Sequence, residues 1–192
     1  SGPSWSNHMM FIAGQTPLVN NPPTRPWICP DGVCIELPTI FDLVDRGGFS
    51  WAGYAGGDSW RMYKSIKHLY QDPRANKTTT DFFADAAAGK LPNLSWVTSY
   101  GYTSQHPIVY SSVGANWTAT LVNALMNSPQ WEKMAIFITW DDWGGFYDHA
   151  TIPFVESVDT SGATDYPKDG TRFRYGPRTP CIVISPYAKT GI

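Results

Sequence analysis

The stretch Met134-Ala-Ile-Phe-Ile-Thr-Trp140, followed directly by Asp141-Asp142-Trp143-Gly144-Gly145, carries the strongest architectural signal in the chain. Its apolar run is continuous rather than alternating, and the same is true of Cys181 to Ser185. Continuous apolar runs of this length are typical of central parallel strands that helices cover on both faces. The sequence therefore predicts an α/β protein, a three-layer α/β/α sandwich with a mainly parallel central sheet.

The segments around these two runs alternate between helical and extended patterns. Gly2-Pro3 and Gly14 bound a predicted helix from Ser4 to Ala13. Residues Thr151 to Pro180 are rich in Gly, Pro, Asp and Thr and predict an excursion over the active-site face. Further helices are predicted over 40–45, 59–69, 80–88 and 116–126, and further strands over 49–54 and 94–97. We find no internal repeat and no reason to divide the chain into two domains.

Composition limits the classes of partner and location. The chain has 192 residues and a net charge of -2, which predicts no nucleic acid partner. No stretch approaches the roughly 20 apolar residues of a membrane helix, and no signal peptide is present. The chain opens on Ser1 without Met and stops at Ile192, so we expect both ends to be cut and a targeting segment to lie upstream. The aromatic content of 15% beside only 16% charged residues resembles extracellular hydrolases, and we expect a secreted or periplasmic protein.

The chain has three cysteines in two different settings. Cys29 and Cys34 bracket a Pro-Asp-Gly-Val turn, which predicts a short local disulfide in an oxidising compartment. A zinc site is the alternative for this spacing, but no second Cys or His pair lies nearby in the sequence. Cys181 begins an apolar run and is predicted to be reduced and buried.

Asp141 and Asp142 are the first candidate site residues, because they follow a predicted buried strand. Open α/β sheets place their ligands at the carboxyl ends of their strands. Successive strand side chains point to opposite faces, so both carboxylates reach one ion only if the chain turns at Asp142, and Gly144 and Gly145 permit that turn. The alternative is a solvated turn in which Asp bonds its own backbone.

Ser4 and His106 are the other candidates for chemistry. Ser4 lies at a predicted helix N-terminus, where the unpaired amides and the helix dipole favour an alkoxide and an attached phosphate. A metal beside that hydroxyl would make it a nucleophile, whereas the alternative is an ordinary Ser cap. His106 follows a short predicted strand and could bind a phosphoryl oxygen or a metal, or protonate a leaving group, although a loop His is more often only part of the surface. The orientation of His8 is not determined by the pattern.

Together these segments resemble the phosphoesterase family that joins phosphatidylcholine-preferring phospholipases C with acid phosphatases. The stretch Gly2-Pro-Ser-Trp-Ser-Asn-His8 resembles that family's motif Gly-Pro-Ser/Thr-x-Pro-Asn-Arg, with Ser6 and His8 as departures on the substrate side. Several later segments follow in the family's order, namely Leu37 to Asp42, Ser50-Trp51, Leu91 to Val97, Gln105 to Pro107, Trp140 to His149 and Ile184 to Ala188.

The resemblance implies an alkaline-phosphatase-like fold and a set of roles. It makes Ser4 the nucleophile that is transiently phosphorylated, Asn7 and His106 substrate contacts, and Asp141 and Asp142 ligands of one divalent metal ion. Oxygen ligands suit Ca²⁺, Mg²⁺ or Mn²⁺, whereas a His would favour Zn²⁺ or Fe. The implied substrate is a small-molecule phosphoester or a phospholipid head group. Nothing before Ser4 can supply the family's Glu-Asn metal-binding pair, so we expect residues 1–192 to be the C-terminal part of one catalytic domain, inactive alone.

Two other function classes compete with this hypothesis. A glycosidase needs two carboxyl groups facing each other across about 5 to 9.5 Å, which the adjacent Asp141 and Asp142 do not suit. A noncatalytic carbohydrate-binding or lipid-binding domain could use Trp5, Trp60 and Trp143 as platforms. The hydroxyl, the His and the paired Asp in the family's order argue against that second class.

Overall fold

The computed structural model describes residues 2–18, 20–23, 26–156, 173–189 and 191. Over most of these residues, helices and strands alternate along the chain. The helices are α1 (Ser4–Ala13), α2 (Ile40–Arg46), α3 (Lys67–Tyr70), α4 (Thr79–Ala87) and α5 (Ser111–Met126), and the strands are β1 (Trp51–Ala55), β2 (Lys77–Thr78), β3 (Leu94–Thr98), β4 (Ile136–Thr139), β5 (Phe154–Glu156), β6 (Phe173–Arg174) and β7 (Cys181–Ile184).

A parallel sheet with the order β2-β1-β3 forms the centre of the described structure. Strand β1 pairs with β3 along its whole length, from Trp51 opposite Leu94 to Ala55 opposite Thr98, and its C-terminal end also pairs with β2. Every residue of β1 is buried, as expected for a strand with neighbours on both edges and both faces. The predicted mixed α/β architecture with a parallel sheet is confirmed.

Two hydrophobic clusters lie on opposite faces of β1. Alternate side chains of a strand point to opposite faces, and Trp51 packs into one cluster whereas Ala52 and Tyr54 pack into the other. Residues of α1 and α2 fill the first cluster and residues of α4 and α5 fill the second, including Trp5, Met9 and Phe41 on one side and Phe82, Leu121 and Leu125 on the other. The sheet is therefore covered by helices on both faces, which gives three layers.

The prediction for the two apolar runs was wrong in strand direction and in burial. Strands β4 and β7 form a separate two-stranded sheet in which they run antiparallel, with Ile136 opposite Ile184 and Thr139 opposite Cys181. Ile136 is buried, but Phe137 is 70% exposed, and β7 is largely exposed. A continuous apolar run indicates that a strand favours burial, but strand direction is set by the connection, which here returns the chain alongside β4 in the opposite sense.

The predicted helix over 59–69 is also replaced by shorter elements. Two 3₁₀ turns, Asp58–Trp60 and Met62–Ser65, precede the four-residue helix α3. The Lys64 and Ser65 carbonyls accept hydrogen bonds from the amides of Cys29 and Ile35, both far away in sequence. Because these carbonyls bond to another segment, the tertiary contact takes the place of a regular helical ladder.

The disulfide between Cys29 and Cys34 is present, with Cα atoms 4.9 Å apart, as the turn between them predicts. Cys181 is a free thiol, but it is exposed rather than buried, which corrects the prediction. Its strand lies at the surface of the two-stranded sheet, so the apolar run does not enclose it. No helix among the described residues is long and apolar enough to cross a membrane.

The predicted excursion over 151–180 falls partly outside the described residues, which omit 157–172. Its described ends pair with each other as the short antiparallel strands β5 and β6. The two ends of the excursion therefore leave and rejoin the protein side by side.

Candidate active site

Ser4 is the first residue of α1, and its hydroxyl does not cap the helix. The capping position is Pro3, whose φ of -62° and ψ of 150° are extended. Ser4 is buried, and its Oγ donates a hydrogen bond of 3.4 Å to Asp142 Oδ2, across 138 positions of sequence. The contact joins the start of α1 to the end of β4, so the alternative of an ordinary Ser cap does not describe this residue.

Asn7 holds the backbone that leads into Ser4. Its Oδ1 accepts a 2.9 Å hydrogen bond from the Gly2 amide, and its Nδ2 donates to the Gly2 carbonyl. Both ends of the amide are therefore used to fix the residues before the helix. The contact between Asn7 and substrate, which the resemblance implies, stays a prediction.

Asp142 forms the local turn that was the alternative interpretation of its sequence, and it also reaches Ser4. Its Oδ1 accepts a 2.7 Å hydrogen bond from the Gly144 amide, which closes a local turn, while Oδ2 faces Ser4. Gly144 and Gly145 have φ values of 63° and 82°, a region that side chains disfavour, so glycine is required for the chain to turn here. The turn is what directs the Asp142 carboxylate toward α1.

His8 joins the site although its sequence pattern did not place it there. It lies one helical turn after Ser4, and residues four apart share a helix face. Its Nε2 is 3.8 Å from Asp141 Oδ2, and its ring stacks on Trp60. Burial lowers the pKa of His8, and the nearby carboxylates of Asp141 and Asp142 oppose that shift. The spacing of four from Ser4 was the one signal that could have found it.

His106 lines the same cleft as Asp142 and is exposed. Its ring stacks on Trp60 with centroids 5.8 Å apart, and its Nδ1 lies 2.9 Å from the Pro107 carbonyl. The preceding residue, Gln105, has a φ of 60° and is held at both ends of its side chain. Its Oε1 accepts a 2.7 Å bond from Trp140 Nε1, and its Nε2 donates to the Ser111 carbonyl. Gln105 thus ties the His106 loop to the residue that precedes the Asp pair.

Asp142 and His106 line one open cleft of about 450 Å³, and Ser4 reaches it through its contact with Asp142. The predicted proximity of Ser4 to the Asp pair holds for Asp142, whose Oδ2 lies 3.4 Å from Ser4 Oγ. The edge on which they meet differs from the prediction, because the Asp pair follows β4, which pairs in antiparallel with β7. The lining residues are Gly2, Pro3, His106, Pro107, Asp142, Trp143, Gly144 and Gly145.

Ser4 and the Asp pair could supply some of the ligands of a metal ion. Ser4 Oγ and Asp142 Oδ2 are 3.4 Å apart, close to the spacing of two oxygen ligands on one cation, and Asp141 is adjacent in the chain. Among the residues that the structure describes, no group of three or more His, Cys, Asp or Glu could hold a metal ion. The donor set fits a hard divalent cation that needs further ligands.

An ion pair that the sequence did not reveal fixes the chain just beyond the cleft. Arg178 donates from Nε and Nη2 to the two oxygens of Asp148, at 3.0 and 2.8 Å, and the Ala150 and Arg178 amides donate to the same carboxylate. These hydrogen bonds, first those from the guanidinium, hold the pKa of Asp148 well below its usual range. The pair joins the segment after the cleft to the segment before β7.

Known proteins are similar to this chain in sequence. The chain matches the phosphoesterase family over residues 1–192. It is 33% identical to "Non-specific phospholipase C1" of Arabidopsis thaliana over 164 residues, which is 80% of this chain and 30% of that protein. It is also 33% identical to "Phospholipase C A" and "Phospholipase C B" of Mycobacterium tuberculosis, across 76% and 85% of this chain and 33% and 39% of those proteins. The chain spans about a third of the length of these relatives.

Proposed function

This chain belongs to the phosphoesterase family, and we propose that it is the C-terminal part of a catalytic domain that hydrolyses phosphoric esters. The observation that carries the proposal is the 3.4 Å contact between the Ser4 hydroxyl and Asp142, at a helix start beside an open cleft. A nucleophile with a carboxylate partner, and a His that lines the same cleft, are groups that can carry ester hydrolysis through a covalent intermediate.

In the proposed reaction, Ser4 Oγ attacks the phosphorus atom and the bond to the leaving oxygen breaks. Asp142 Oδ2 accepts the hydrogen bond of the hydroxyl, orients it for attack and takes up its proton as the bond between Oγ and phosphorus forms. The positive end of the α1 dipole, which lies at Ser4, stabilises the negative charge of the phosphoryl oxygens. His106, which lines the same cleft, protonates the leaving oxygen or holds a phosphoryl oxygen. Water then cleaves the phosphoserine, which releases the phosphate product and restores the Ser4 hydroxyl.

We further propose that Ser4, Asp141 and Asp142 contribute ligands to one divalent metal ion. When bound, such an ion lowers the pKa of the hydroxyl and neutralises phosphoryl charge. The resemblance in sequence places the remaining Glu-Asn pair upstream of Ser4, so the chain by itself is expected to be inactive. Oxygen ligands favour Ca²⁺, Mg²⁺ or Mn²⁺, and a ligand His would move the preference toward Zn²⁺ or Fe.

The substrate class and the compartment follow from separate observations. The relatives' names favour a phospholipid head group over the acid phosphatase type of substrate. The Cys29–Cys34 disulfide favours an oxidising compartment, so we propose a secreted or periplasmic enzyme. Neither competing class gains support, because Asp141 and Asp142 are adjacent in the chain rather than facing each other, and the Ser4 hydroxyl contacts the Asp142 carboxylate.

Substitution of Ser4 and Asp142 in the full-length protein tests the proposal. We expect Ser4→Ala to reduce turnover of an aryl phosphate or phosphocholine ester by about 10³-fold or more while metal affinity is largely retained. Asp142→Asn should reduce both, because the neutral amide holds a cation less strongly. Turnover and calorimetric metal titration measure the two effects.

Ser6→Ala is the matched control. Ser6 is buried in the same helix, but its Oγ donates to the Leu18 carbonyl at 2.8 Å and Ser6 is not among the described residues that line the cleft, so the structure does not support the expectation that it lies on the substrate side. We expect this variant to keep its turnover. Near-normal turnover in Ser4→Ala would refute the nucleophile assignment, and unchanged metal binding in both Asp141→Asn and Asp142→Asn would refute the metal assignment.

A further inference from the structure

Large apolar side chains project into solvent from the two loops that form the cleft. We call Ile108, Tyr110, Trp143, Phe146 and Tyr147 the aromatic rim. Ile108 is fully exposed, Tyr147 is 90% exposed, and Tyr110 and Phe146 are 82% and 77% exposed. The cleft is lined by His106 and Pro107, which directly precede Ile108. On the other loop it is lined by Trp143, Gly144 and Gly145, which directly precede Phe146 and Tyr147. The rim is therefore continuous with the mouth of the cleft.

Both loops present the rim from the ends of hydrogen-bonded turns. The Val109 amide donates to the His106 carbonyl at 2.9 Å, and the Phe146 amide donates to the Trp143 carbonyl at 3.1 Å. Ile108 has a φ of 78°, which is costly for a β-branched side chain. A strained backbone that holds an isoleucine fully in water has no stabilising contact to explain it within the described structure.

The charge of the rim indicates what surface it fits. Residues 105–110 and 143–147 contain no Lys, Arg, Asp or Glu. The rim therefore offers no cationic group for an anionic surface and no charge that a neutral surface would have to desolvate. Tyr and Trp, with an apolar ring and one polar group, favour the region where lipid head groups meet acyl chains.

We propose that the aromatic rim docks the mouth of the cleft on a zwitterionic phospholipid surface, with Ile108, Phe146 and Tyr147 inserted among the head groups. The proposal rests on the proposed function, because docking there would present a head-group phosphate to Ser4. It predicts that hydrolysis of lipid in a bilayer depends on the rim, whereas hydrolysis of a soluble ester does not.

Flotation with phosphatidylcholine vesicles tests the proposal on the full-length protein. We expect Ile108→Asp and the double variant Phe146→Ser/Tyr147→Ser each to lower vesicle affinity by roughly tenfold or more, since each removes apolar area from the contact. Turnover of a soluble phosphocholine ester should stay within about twofold, below the effect of a lost catalytic contact. Phe49→Ser is the matched control, because Phe49 is 59% exposed but precedes the N-terminal end of β1, and it should bind vesicles as the wild type does.

The outcomes separate docking from catalysis. Wild-type vesicle affinity in both rim variants would overturn the docking proposal and leave the proposed function standing. Rim-dependent vesicle binding by a protein that hydrolyses no phosphoester would overturn the proposed function, and the docking surface would remain. If the rim variants lost both thermal stability and turnover of the soluble ester, the rim would be part of the protein interior, and the docking proposal would be overturned.

Discussion

A single methyl group added at Gly114 tests how the His106 loop is held. Gly114 is buried in α5, and a Cβ placed there would lie 2.3 Å from Gln105 Cγ and 2.7 Å from the Thr103 carbonyl oxygen. Both separations are shorter than real Cβ contacts, and the second involves backbone. The helix and the loop can therefore approach this closely only because residue 114 has no side chain.

The sign of the stability change in Gly114→Ala distinguishes packing from helix propensity. Alanine in a helix interior is normally more stable than glycine by about 1 kcal/mol. Overpacking costs about 1–3 kcal/mol, and two contacts below 3 Å put Gly114→Ala near the upper end of that range. We expect a net loss of about 1–2 kcal/mol, which lowers the Tm by a few degrees in differential scanning calorimetry.

The same collision should also reduce catalytic turnover, by more than the modest loss of stability would by itself explain. Gln105 is bonded to Trp140, next to the Asp pair, and directly precedes His106, so its displacement moves both walls of the cleft. Gly57→Ala is the matched control, because residue 57 is extended with a φ of 175° and no atom lies within 4 Å of its added Cβ. A raised Tm in Gly114→Ala, or unchanged turnover of a soluble ester, would refute the reasoning.

Two further predictions concern stability. Replacing Cys29 and Cys34 by Ser should lower the free energy of unfolding by about 2 kcal/mol, because the unfolded chain regains the entropy of the open loop. Urea denaturation measures this loss, and the control Cys181→Ser should unfold at the same urea concentration as the wild type. An unchanged midpoint in the double variant would contradict a stabilising disulfide. Burial alone would raise the pKa of Asp85, but hydrogen bonds, first that from Lys77, lower it below 3.8. The stabilisation that ionised Asp85 contributes is therefore present above pH 3.8 and is lost as the pH falls through the lower pKa of the folded state. Asp85→Asn should consequently reduce the difference in Tm between about pH 6 and about pH 3. An undiminished difference would refute the stabilising role of the Asp85 carboxylate.

The start of α1 could be predicted from sequence because its signals are local. Pro3 cannot donate a backbone hydrogen bond, and Gly14 adopts a φ of 66° that ends the helix, so both bounds lie within the residues that encode them. The turn after Asp142 is likewise encoded by Gly144 and Gly145. Local conformational preference was thus sufficient to place Ser4 and the Asp pair at element ends.

Features that depend on distant partners could not be predicted in the same way. The antiparallel pairing of β7 with β4 and the exposure of Cys181 depend on contacts between segments far apart in sequence, which neither apolar run encodes. Gln105 acts through bonds to Trp140 and to α5, which no spacing in the sequence encodes. His8 was missed because the pattern gave the helix but not the face that meets Asp141.

The charge of the cleft gives an argument for a cation that is independent of family resemblance. Asp142 lines the cleft and Asp141 is adjacent to it, while no Lys or Arg is among the lining residues. Two unit charges about 4 Å apart interact by about 4 kcal/mol at an effective dielectric constant of about 20. A phosphoester anion placed beside Ser4 would meet that repulsion from the Asp142 carboxylate, which lies 3.4 Å from the hydroxyl. A divalent cation bound there, as we propose, would reverse the sign of the interaction. Without a cation the Asp142 carboxylate repels the substrate anion, whereas with one it would hold the positive charge that attracts the anion.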